Sequence, residues 1–411
     1  METHPPLSDL VEKALLEIGK FGFGQEVNRR YKWIYERLKV FARKRNARCY
    51  SADLLHCFLT DTEHRYQIGV IGRRRRNELR RAALLLQDCL ENGRIEWRVY
   101  RERARPMPSS QEFLRHYKQY IDVLESKGWS QTTIDLARTL IGEFLVFLDD
   151  SGCRTLSETP LPMVPAFFQH LLARYRPTSM HVVADHLRAF LQLADGGQRL
   201  LPMVPSRCVR SKSIIPVLSD QEYVALKRTL EGPEVSLRDK AIIQLALRTG
   251  LRSVDIVKLK VSDIDWINDT ILVMQSKTGR PFRVPLTADV GNLLSSYILM
   301  ERPEADTPYV FLRSQAPHRS LAGHTACYAL LRKVFTRAGI RVGAERKGLH
   351  LIRHTVASRM LSHGVPLTTI ASVLGHADKA STQVYLATDE LQMRECGLPI
   401  PELPMSGGGL G

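Results

Sequence analysis

The chain has 411 residues, of which 44% are hydrophobic and 25% are charged, as in ordinary globular proteins. Its 59 basic and 43 acidic residues give a formal net charge of +16, which favours a polyanionic partner. No apolar run is long enough to span a bilayer and the first residues do not resemble an export signal, so we expect a cytoplasmic protein with no membrane partner. The seven cysteines are scattered without paired spacing and are predicted to be reduced.

Residues 1–106 are predicted to form a basic helical N-terminal domain, because they hold 23 Lys and Arg against 14 Asp and Glu and show helical periodicity. One helix is expected to begin in the arginine run and to end near Gly93. Such a run is either a solvated helix face or a set of phosphate contacts. Because arginine dominates this region and binds phosphate in a forked geometry, we favour phosphate contact for Arg73, Arg74, Arg75 and Arg76.

Residues 107–205 are predicted to form a bundle of four helices, which follows a linker rich in proline and serine. Residues 206–218 are predicted to be an extended linker between domains, stiffened by proline. Its basic residues are candidate contacts to a polyanion such as a nucleic-acid backbone, namely Arg207, Arg210 and Lys212.

Residues 219–398 are predicted to form a separate, mostly helical domain with a small antiparallel sheet, so that the chain as a whole is mostly α. Ser219 with Glu222 predicts a capped helix start. A later helix is expected to end at Thr249 and Gly250, which leaves Arg252 at the turn. A β-hairpin is predicted from Thr270–Met274 and Phe282–Leu286, with Lys277 at or beside its turn and Arg280 close by.

The stretch from His350 to Tyr385 combines imidazole, guanidinium and phenol groups. His350, Arg353 and His354 are three and four residues apart and are expected to share one helix face. Gly375 is typical of a helix C-terminus, which places His376 at a helix end. Tyr385 is expected on a further short helix and is a candidate nucleophile.

These residues resemble the tyrosine recombinase, or phage integrase, family. The matching segments are ALRTGLRSVDIVKL around Arg252, SKTGRPFRVPL around Lys277, HLIRHTVASRML from His350, VLGH, and STQVYLATDEL around Tyr385. The resemblance covers residues 219–390 clearly and residues 107–205 at the level of the helix pattern, but it does not extend to residues 1–106. It implies that the helical bundle is a core-DNA-binding domain that forms a clamp around DNA with the catalytic domain.

The resemblance also implies a role for each matching residue. Tyr385 would attack a DNA phosphodiester and become joined to the 3′ phosphate. Arg252 and Arg353 would hold the non-bridging oxygens, on which negative charge gathers in the transition state.

The remaining three residues of the motif would move protons or bind the phosphate. His350 would accept the tyrosine proton or help to hold the phosphate, His376 would donate a hydrogen bond to it, and Lys277 would protonate the departing 5′ oxygen. Arg280 is a further candidate DNA contact. The phenol needs such help, since with a pKa near 10 only about one part in a thousand is ionised at neutral pH.

Several neighbouring residues are predicted to have structural roles. Asp255 is interpreted as a carboxylate that orients an arginine, and His354 as support for its helix. His324 and His363 are interpreted as surface histidines.

The predicted function is site-specific DNA recombination for the integration, excision or transposition of a mobile element in a prokaryotic cell. The predicted partners are double-stranded DNA with specific recombination sites, a homotetramer on two duplexes, and accessory DNA-binding proteins. No cofactor and no metal are predicted. The alternatives are DNA relaxation of the type IB topoisomerase kind and a DNA-binding regulator without catalysis.

Two regions need separate hypotheses. Residues 1–106 are expected to bind a second DNA element, to widen the contact with the core site, or to hold protomers together. Residues 399–411 are expected to be a flexible C-terminal tail, which could pack on a neighbouring protomer.

Overall fold

The structure of the protein is a computed structural model, and it describes residues 5–97, 106–209 and 215–375 except 278, 322 and 344. Its residues divide into two compact units, one from Met1–Tyr100 and Ile214–Gly411 and the other from Arg101–Ser213. The described residues are mostly helical with one three-stranded antiparallel sheet, which confirms the predicted fold class. Among these helices, none is both long and apolar enough to cross a bilayer.

Four amphipathic helices in residues 5–97 pack around an apolar core of their own. They are α1 Leu7–Gly19, α2 Gln25–Arg43, α3 Ala52–Gln67 and α4 Arg73–Asn92. The Ser51 hydroxyl accepts a hydrogen bond of 3.1 Å from the Leu54 N–H and caps α3. Helix α4 ends as predicted at Gly93, whose φ of 69° lies in the left-handed region that glycine adopts without steric cost. The buried Tyr35 hydroxyl donates to the Ala82 carbonyl at 3.1 Å and joins α2 to α4.

The N-terminal helices belong to the same compact unit as the C-terminal region of the chain. Their direct contact with it includes the loop of residues 313–319. There the Arg319 guanidinium donates to the carbonyl oxygen of Trp97 at 2.7 Å. The basic N-terminal helices therefore pack against the domain that carries the predicted catalytic residues.

The unit Arg101–Ser213 is a helical bundle, as the periodicity predicts. Its helices are α5 Gln111–Ser126, α6 Gln131–Asp150, α7 Met163–Leu172 and α8 Met180–Leu193. Phe113, Phe144, Phe167 and Phe190 are almost wholly buried in its core. Because each aromatic side chain removes a large apolar area from water, these rings contribute much of the stability of the bundle.

The second half of the larger unit is built from helices around the three-stranded sheet. The helices are α9 Asp220–Glu231, α10 Leu237–Thr249, α11 Ser253–Val257, α12 Ala288–Ser296, α13 Gly323–Arg337, α14 Leu349–Ser362 and α15 Leu367–Leu374. Helix α12 continues into a π-helical turn, Tyr297–Glu301. The predicted capping box is present, because Ser219 and Glu222 each accept a hydrogen bond from the backbone N–H of the other.

The sheet consists of β1 Ile264–Asp265, β2 Thr270–Met274 and β3 Pro281–Pro285, in that order. Strand β2 has the predicted bounds, whereas β3 begins and ends one residue earlier than predicted. The reason is the turn, in which the Gln275 N–H donates to the Arg280 carbonyl at 3.0 Å. That bond closes the loop before Pro281, so the pairing starts with Met274 opposite Pro281.

Candidate active site

Arg252 lies at the turn between α10 and α11, as predicted. Helix α10 ends at Gly250, whose φ is 63°, and Arg252 is the residue that precedes α11. A side chain at Gly250 would bring its Cβ within 2.5 Å of Leu374 Cδ2. Only glycine fits here, because the turn is left-handed and the end of α15 packs directly on it. Arg252 is half-buried beside this contact.

Arg353 is on α14 and its side chain lies beneath the site rather than on the surface. The residue is only 4% exposed. Its guanidinium donates from Nη1 to the Gly250 carbonyl at 2.7 Å and from Nη2 to the Leu374 carbonyl at 2.8 Å. The guanidinium therefore ties together the ends of α10 and α15 and places a buried positive charge where the Arg252 turn and the residues before His376 meet.

Lys277 is exposed at the tip of the β2–β3 hairpin, as the sequence predicts. The loop is held from two sides. Gly279 N–H donates to the Gln275 carbonyl at 2.8 Å across the turn. On the other side, Asp255 Oδ1 accepts a hydrogen bond of 2.8 Å from the Ser276 N–H, so the helix that follows Arg252 fixes the residue before Lys277.

Asp255 makes a contact that the sequence did not predict. The carboxylate is 3% exposed and accepts a hydrogen bond from the hairpin backbone. A buried carboxylate needs hydrogen-bond donors, and here the loop supplies a backbone N–H. Asp255 therefore positions the lysine loop, and its predicted role in orienting an arginine stays a prediction.

Three histidines form a row along α13 and α14. The ring centroids of His324 and His350 are 6.0 Å apart, and those of His350 and His354 are 6.3 Å apart. His324 was interpreted as an ordinary surface residue, and it is exposed, but it lies against the predicted catalytic histidine. The sequence carries no signal for this contact, because 26 residues and a helix boundary separate His324 from His350.

Two of these histidines, His350 and His354, have a lowered pKa, which favours their neutral form. Partial burial of the His350 ring, and then the charges of His324, Arg353 and Arg252, hold its pKa below the usual value of 6.5. Burial, followed by the charges of His350, Arg353 and Arg346, lowers the pKa of His354 to about 4. A neutral imidazole on a face that also carries cations can accept a proton from an incoming hydroxyl group.

The second histidine and the tyrosine of the motif, His376 and Tyr385, lie outside the described residues, as does the C-terminal tail. The described chain ends at Gly375, which follows α15 with a φ of 61°. A Cβ on Gly375 would overlap the side-chain amide of Gln275. The hairpin that carries Lys277 and the helix end before His376 are therefore in direct contact, and neither Gln275 nor Gly375 was predicted to join them.

The predicted DNA-contact residues differ in their surroundings. Arg73 and Arg74 are exposed at the start of α4, although Arg74 is 3.3 Å from Glu78. Arg75 lies over the Trp33 ring at 4.3 Å, and the half-buried Arg76 pairs with Glu63 at 2.5 Å. Arg207 and Arg280 are both exposed, whereas Arg210 and Lys212 lie outside the described residues.

Within the described residues, no group of three or more His, Cys, Asp or Glu side chains is arranged to hold a metal ion.

Comparison with known proteins identifies the family. The model of the phage integrase family matches residues 216–392. A putative integrase/recombinase of Sinorhizobium fredii, y4rA, is 33% identical over 283 residues, which are 67% of this chain and 68% of the relative. Tyrosine recombinase XerD of Mycobacterium tuberculosis is 28% identical over 326 residues, which are 76% of this chain and 96% of the relative.

A solved structure has a similar fold. It is a lambda integrase tetramer bound to a Holliday junction, which matches with a TM-score of 0.53 and 18% identity over 77% of this chain and 88% of that chain. The sequence relatives and the shared fold agree on the family. The chain belongs to the phage integrase family of tyrosine recombinases.

Proposed function

We propose that this protein is a site-specific recombinase that cuts and rejoins DNA strands through a 3′-phosphotyrosyl intermediate, for the integration, excision or transposition of a mobile element. The observation that carries the proposal is the Arg353 guanidinium, which joins the turn of Arg252 to the helix end before His376. In this way, the turn that carries Arg252, helix α14 and the end of α15 are held in one framework. The hydrogen bond from the Ser276 N–H to Asp255 attaches the Lys277 hairpin to the same framework.

In the proposed cleavage step, Tyr385 Oη attacks phosphorus and the bond to the 5′ oxygen breaks. His350, with its lowered pKa, takes the phenolic proton. Lys277 gives a proton to the departing 5′ oxygen. The phosphate is then bonded to the tyrosine, and no bond energy is lost, so that a free 5′ hydroxyl can reverse the step on the same strand or on another one.

The cations of the site stabilise the transition state of this step. Arg252 and Arg353 face the charge that gathers on the non-bridging oxygens, and His376 donates a hydrogen bond to the phosphate. Because Arg353 is fixed by two backbone carbonyls, its charge does not need to reorganise when the phosphate becomes pentavalent.

The proposed partners are double-stranded DNA with specific sites and, during strand exchange, three further copies of the chain on two duplexes. The relative solved as a tetramer on a Holliday junction supports the tetramer. The net charge of +16 supports the DNA contact. In this proposal the bundle of Arg101–Ser213 and the catalytic domain clamp the DNA, with accessory proteins as further partners, in the cytoplasm of a prokaryotic cell.

The first test is to trap the covalent adduct. The full chain is incubated with genomic DNA of its host, denatured and digested, and the DNA that stays bound to the Tyr385 peptide is sequenced. We expect a 3′-linked adduct at a small number of sites and its complete loss in Tyr385→Phe, with Tyr328→Phe as the matched control. Strand cleavage that persists in Tyr385→Phe would falsify the assignment of the nucleophile.

A second assay separates recombination from relaxation. Two duplexes that carry the recovered site are mixed with the protein, and joined products are measured beside the relaxation of a supercoiled plasmid without the site. We expect joined products and little relaxation. The opposite result would support a topoisomerase, and DNA binding without either product would support a non-catalytic regulator.

A further inference from the structure

A cavity of 780 Å³ lies where the N-terminal helices meet the loop of residues 313–319. Its walls are formed by helices α2 and α4, by Trp97 and by this loop. None of the predicted catalytic residues lines it. Its volume is within the range of small-molecule binding sites and is much larger than a single phosphate requires.

The walls of the cavity are strongly positive. Six arginines and one glutamate line it, the arginines being Arg30, Arg73, Arg74, Arg81, Arg313 and Arg319. Glu78 lies 2.9 Å from Arg30 and 3.3 Å from Arg74, so a single carboxylate forms ion pairs with more than one arginine. Burial, together with the neighbouring charges of Arg313 and Arg81, also lowers the pKa of Arg319. An anion in the cavity would relieve this repulsion.

The floor of the cavity is aromatic. The ring centroid of Phe23 is 5.2 Å from that of Trp97 and 6.2 Å from that of Tyr31. Arg81 lies 5.0 Å above the Trp97 ring, which brings a cation and a flat apolar surface to the same place. A ligand that carries both an anionic group and a flat ring matches the two kinds of wall.

The start of α4 adds to the preference for an anion. Arg73, Arg74 and Asn77 of its first turns line the cavity, and no acidic residue is present in the first turn. The free N–H groups at a helix N-terminus favour negative charge, whereas arginines alone at this end are unfavourable. An acidic group bound here would be stabilised by the helix and by the guanidinium groups together.

Intact duplex DNA does not fit this combination. Its phosphates lie on the outside of a rod and its bases are stacked inside, so an aromatic floor within a cavity cannot reach a paired base. An unpaired nucleotide presents its phosphate and its ring together, and stacking on aromatic side chains with phosphate contacts to arginine is the usual way in which proteins bind it.

We propose that the cavity between α2, α4 and the 313–319 loop binds an unpaired nucleotide, with its base on Phe23, Tyr31 and Trp97 and its phosphate on the surrounding arginines. The nucleotide comes from a single-stranded DNA segment or from a free nucleotide. Because the cavity joins the N-terminal helices to the catalytic domain, its occupation would stabilise their contact. The proposal does not depend on strand cleavage and goes beyond it.

The test uses the full chain and three labelled probes: a short single strand, a duplex of the same sequence, and dAMP. Two variants address the cavity from opposite walls, Trp97→Leu from the N-terminal side and Arg313→Ala from the loop. Their matched controls are Trp33→Leu and Arg43→Ala, which change the same residue types on the N-terminal helices outside the cavity. Thermal unfolding of each variant shows that the fold is retained.

We expect each cavity variant to weaken binding of the single strand at least about fivefold, the lower range for the loss of one stacked base, with little effect on the duplex. The controls should bind as the unchanged protein does. If dAMP binds and shows the same losses, the ligand is a free nucleotide; if only the strand binds, it is an unpaired nucleotide within DNA.

Photocrosslinking of a single strand that contains 5-iodouracil provides a direct measure. We expect the crosslinked peptide to contain Phe23, Tyr31 or Trp97. Crosslinks confined to other segments would overturn the proposal, as would equal losses for strand and duplex. Binding of polyglutamate that depends on Arg313 but not on Trp97, with no such dependence for the nucleotide probes, would instead assign the cavity to an acidic peptide.

Discussion

Asp255 accepts a hydrogen bond of 2.8 Å from the backbone N–H of Ser276, across 21 residues of the chain. Asp255 is three residues after Arg252 on α11, and Ser276 directly precedes Lys277. One buried carboxylate thus links the turn of the proposed phosphate-binding arginine to the loop of the proposed general acid. The mobility of the lysine loop should depend on this bond.

We expect Asp255→Ala to slow strand cleavage by tenfold to about a hundredfold, because a catalytic group that is misplaced by about 1 Å loses activity on that scale. Asp255→Asn keeps an oxygen acceptor for the Ser276 N–H and should retain most of the activity. The measurement is the single-turnover rate of adduct formation. Equal rates for the two variants would show that the hydrogen bond is not what positions the loop.

A modified substrate shows whether the effect passes through Lys277. When sulfur replaces the 5′ bridging oxygen, the leaving group departs as a thiolate and does not need a proton. Cleavage of this substrate by Asp255→Ala should therefore approach that of the unchanged protein. If the defect persists, Asp255 acts through another part of the site.

The contact between Gly375 and Gln275 predicts a second defect. Gly375→Ala combines a strained left-handed conformation with an overlap on the buried Gln275 amide. We expect a loss of unfolding free energy of about 1–3 kcal/mol and slower cleavage, because His376 follows directly. The matched control is Gly364→Ala, where φ is 76° but no atom lies near the new Cβ.

The overlap can be isolated from the strain. Gln275→Ala removes the amide, so that the double variant with Gly375→Ala should recover the part of the lost stability that the collision causes. Urea unfolding of the two single variants and the double variant measures this coupling. Additive effects would mean that the two residues do not press on each other.

His324 is predicted to influence the pKa of His350, the proposed general base. The charge of His324 is, after burial, the largest cause of the lowered pKa of His350. His324→Gln removes it, and the pKa of His350 should rise. Since only neutral His350 accepts a proton, the acid side of the pH–rate profile should move to higher pH. His363→Gln, at the exposed end of α14, is the control, and an unmoved profile for His324→Gln would contradict the coupling.

The lowered pKa of His354 predicts how the stability of the fold depends on pH. Its pKa is about 4 in the folded chain against 6.5 when unperturbed, so below pH 6.5 the unfolded chain binds the extra proton. Its contribution is complete above pH 6.5 and is lost as the pH falls toward 4. We expect a loss on the order of 1–3 kcal/mol across that window, measured by urea unfolding. His354→Asn should flatten the profile, whereas the exposed His56→Asn should not.

Local patterns predicted much of the fold. Helical periodicity located the bundle, Ser219 with Glu222 gave the capping box, and Gly93, Gly250 and Gly375 ended their helices as expected. These features depend on neighbours within a few residues along the chain, which the sequence shows directly. The shift of β3 by one residue was not predicted. The hydrogen bond to the Arg280 carbonyl across the turn sets the register of the hairpin, and no residue pattern indicates that bond.

The membership of the family was also predicted from the sequence, and the comparisons confirm it. The spacing of Arg252, Lys277, His350 and Arg353 with the later histidine and tyrosine was sufficient to identify the family. The roles of these six residues remain predictions, which the Tyr385→Phe and Asp255 experiments address.

Sequence by itself determined the residue types of the site, their order and the helices and hairpin that carry them. Only the tertiary structure decided that Asp255 holds the lysine loop, that Gln275 meets Gly375, that His324 lies beside His350, and that the basic N-terminal helices form an arginine-lined cavity with the 313–319 loop. The physical reason is that these contacts join segments that are distant in the chain, so packing of the whole domain sets which side chains meet.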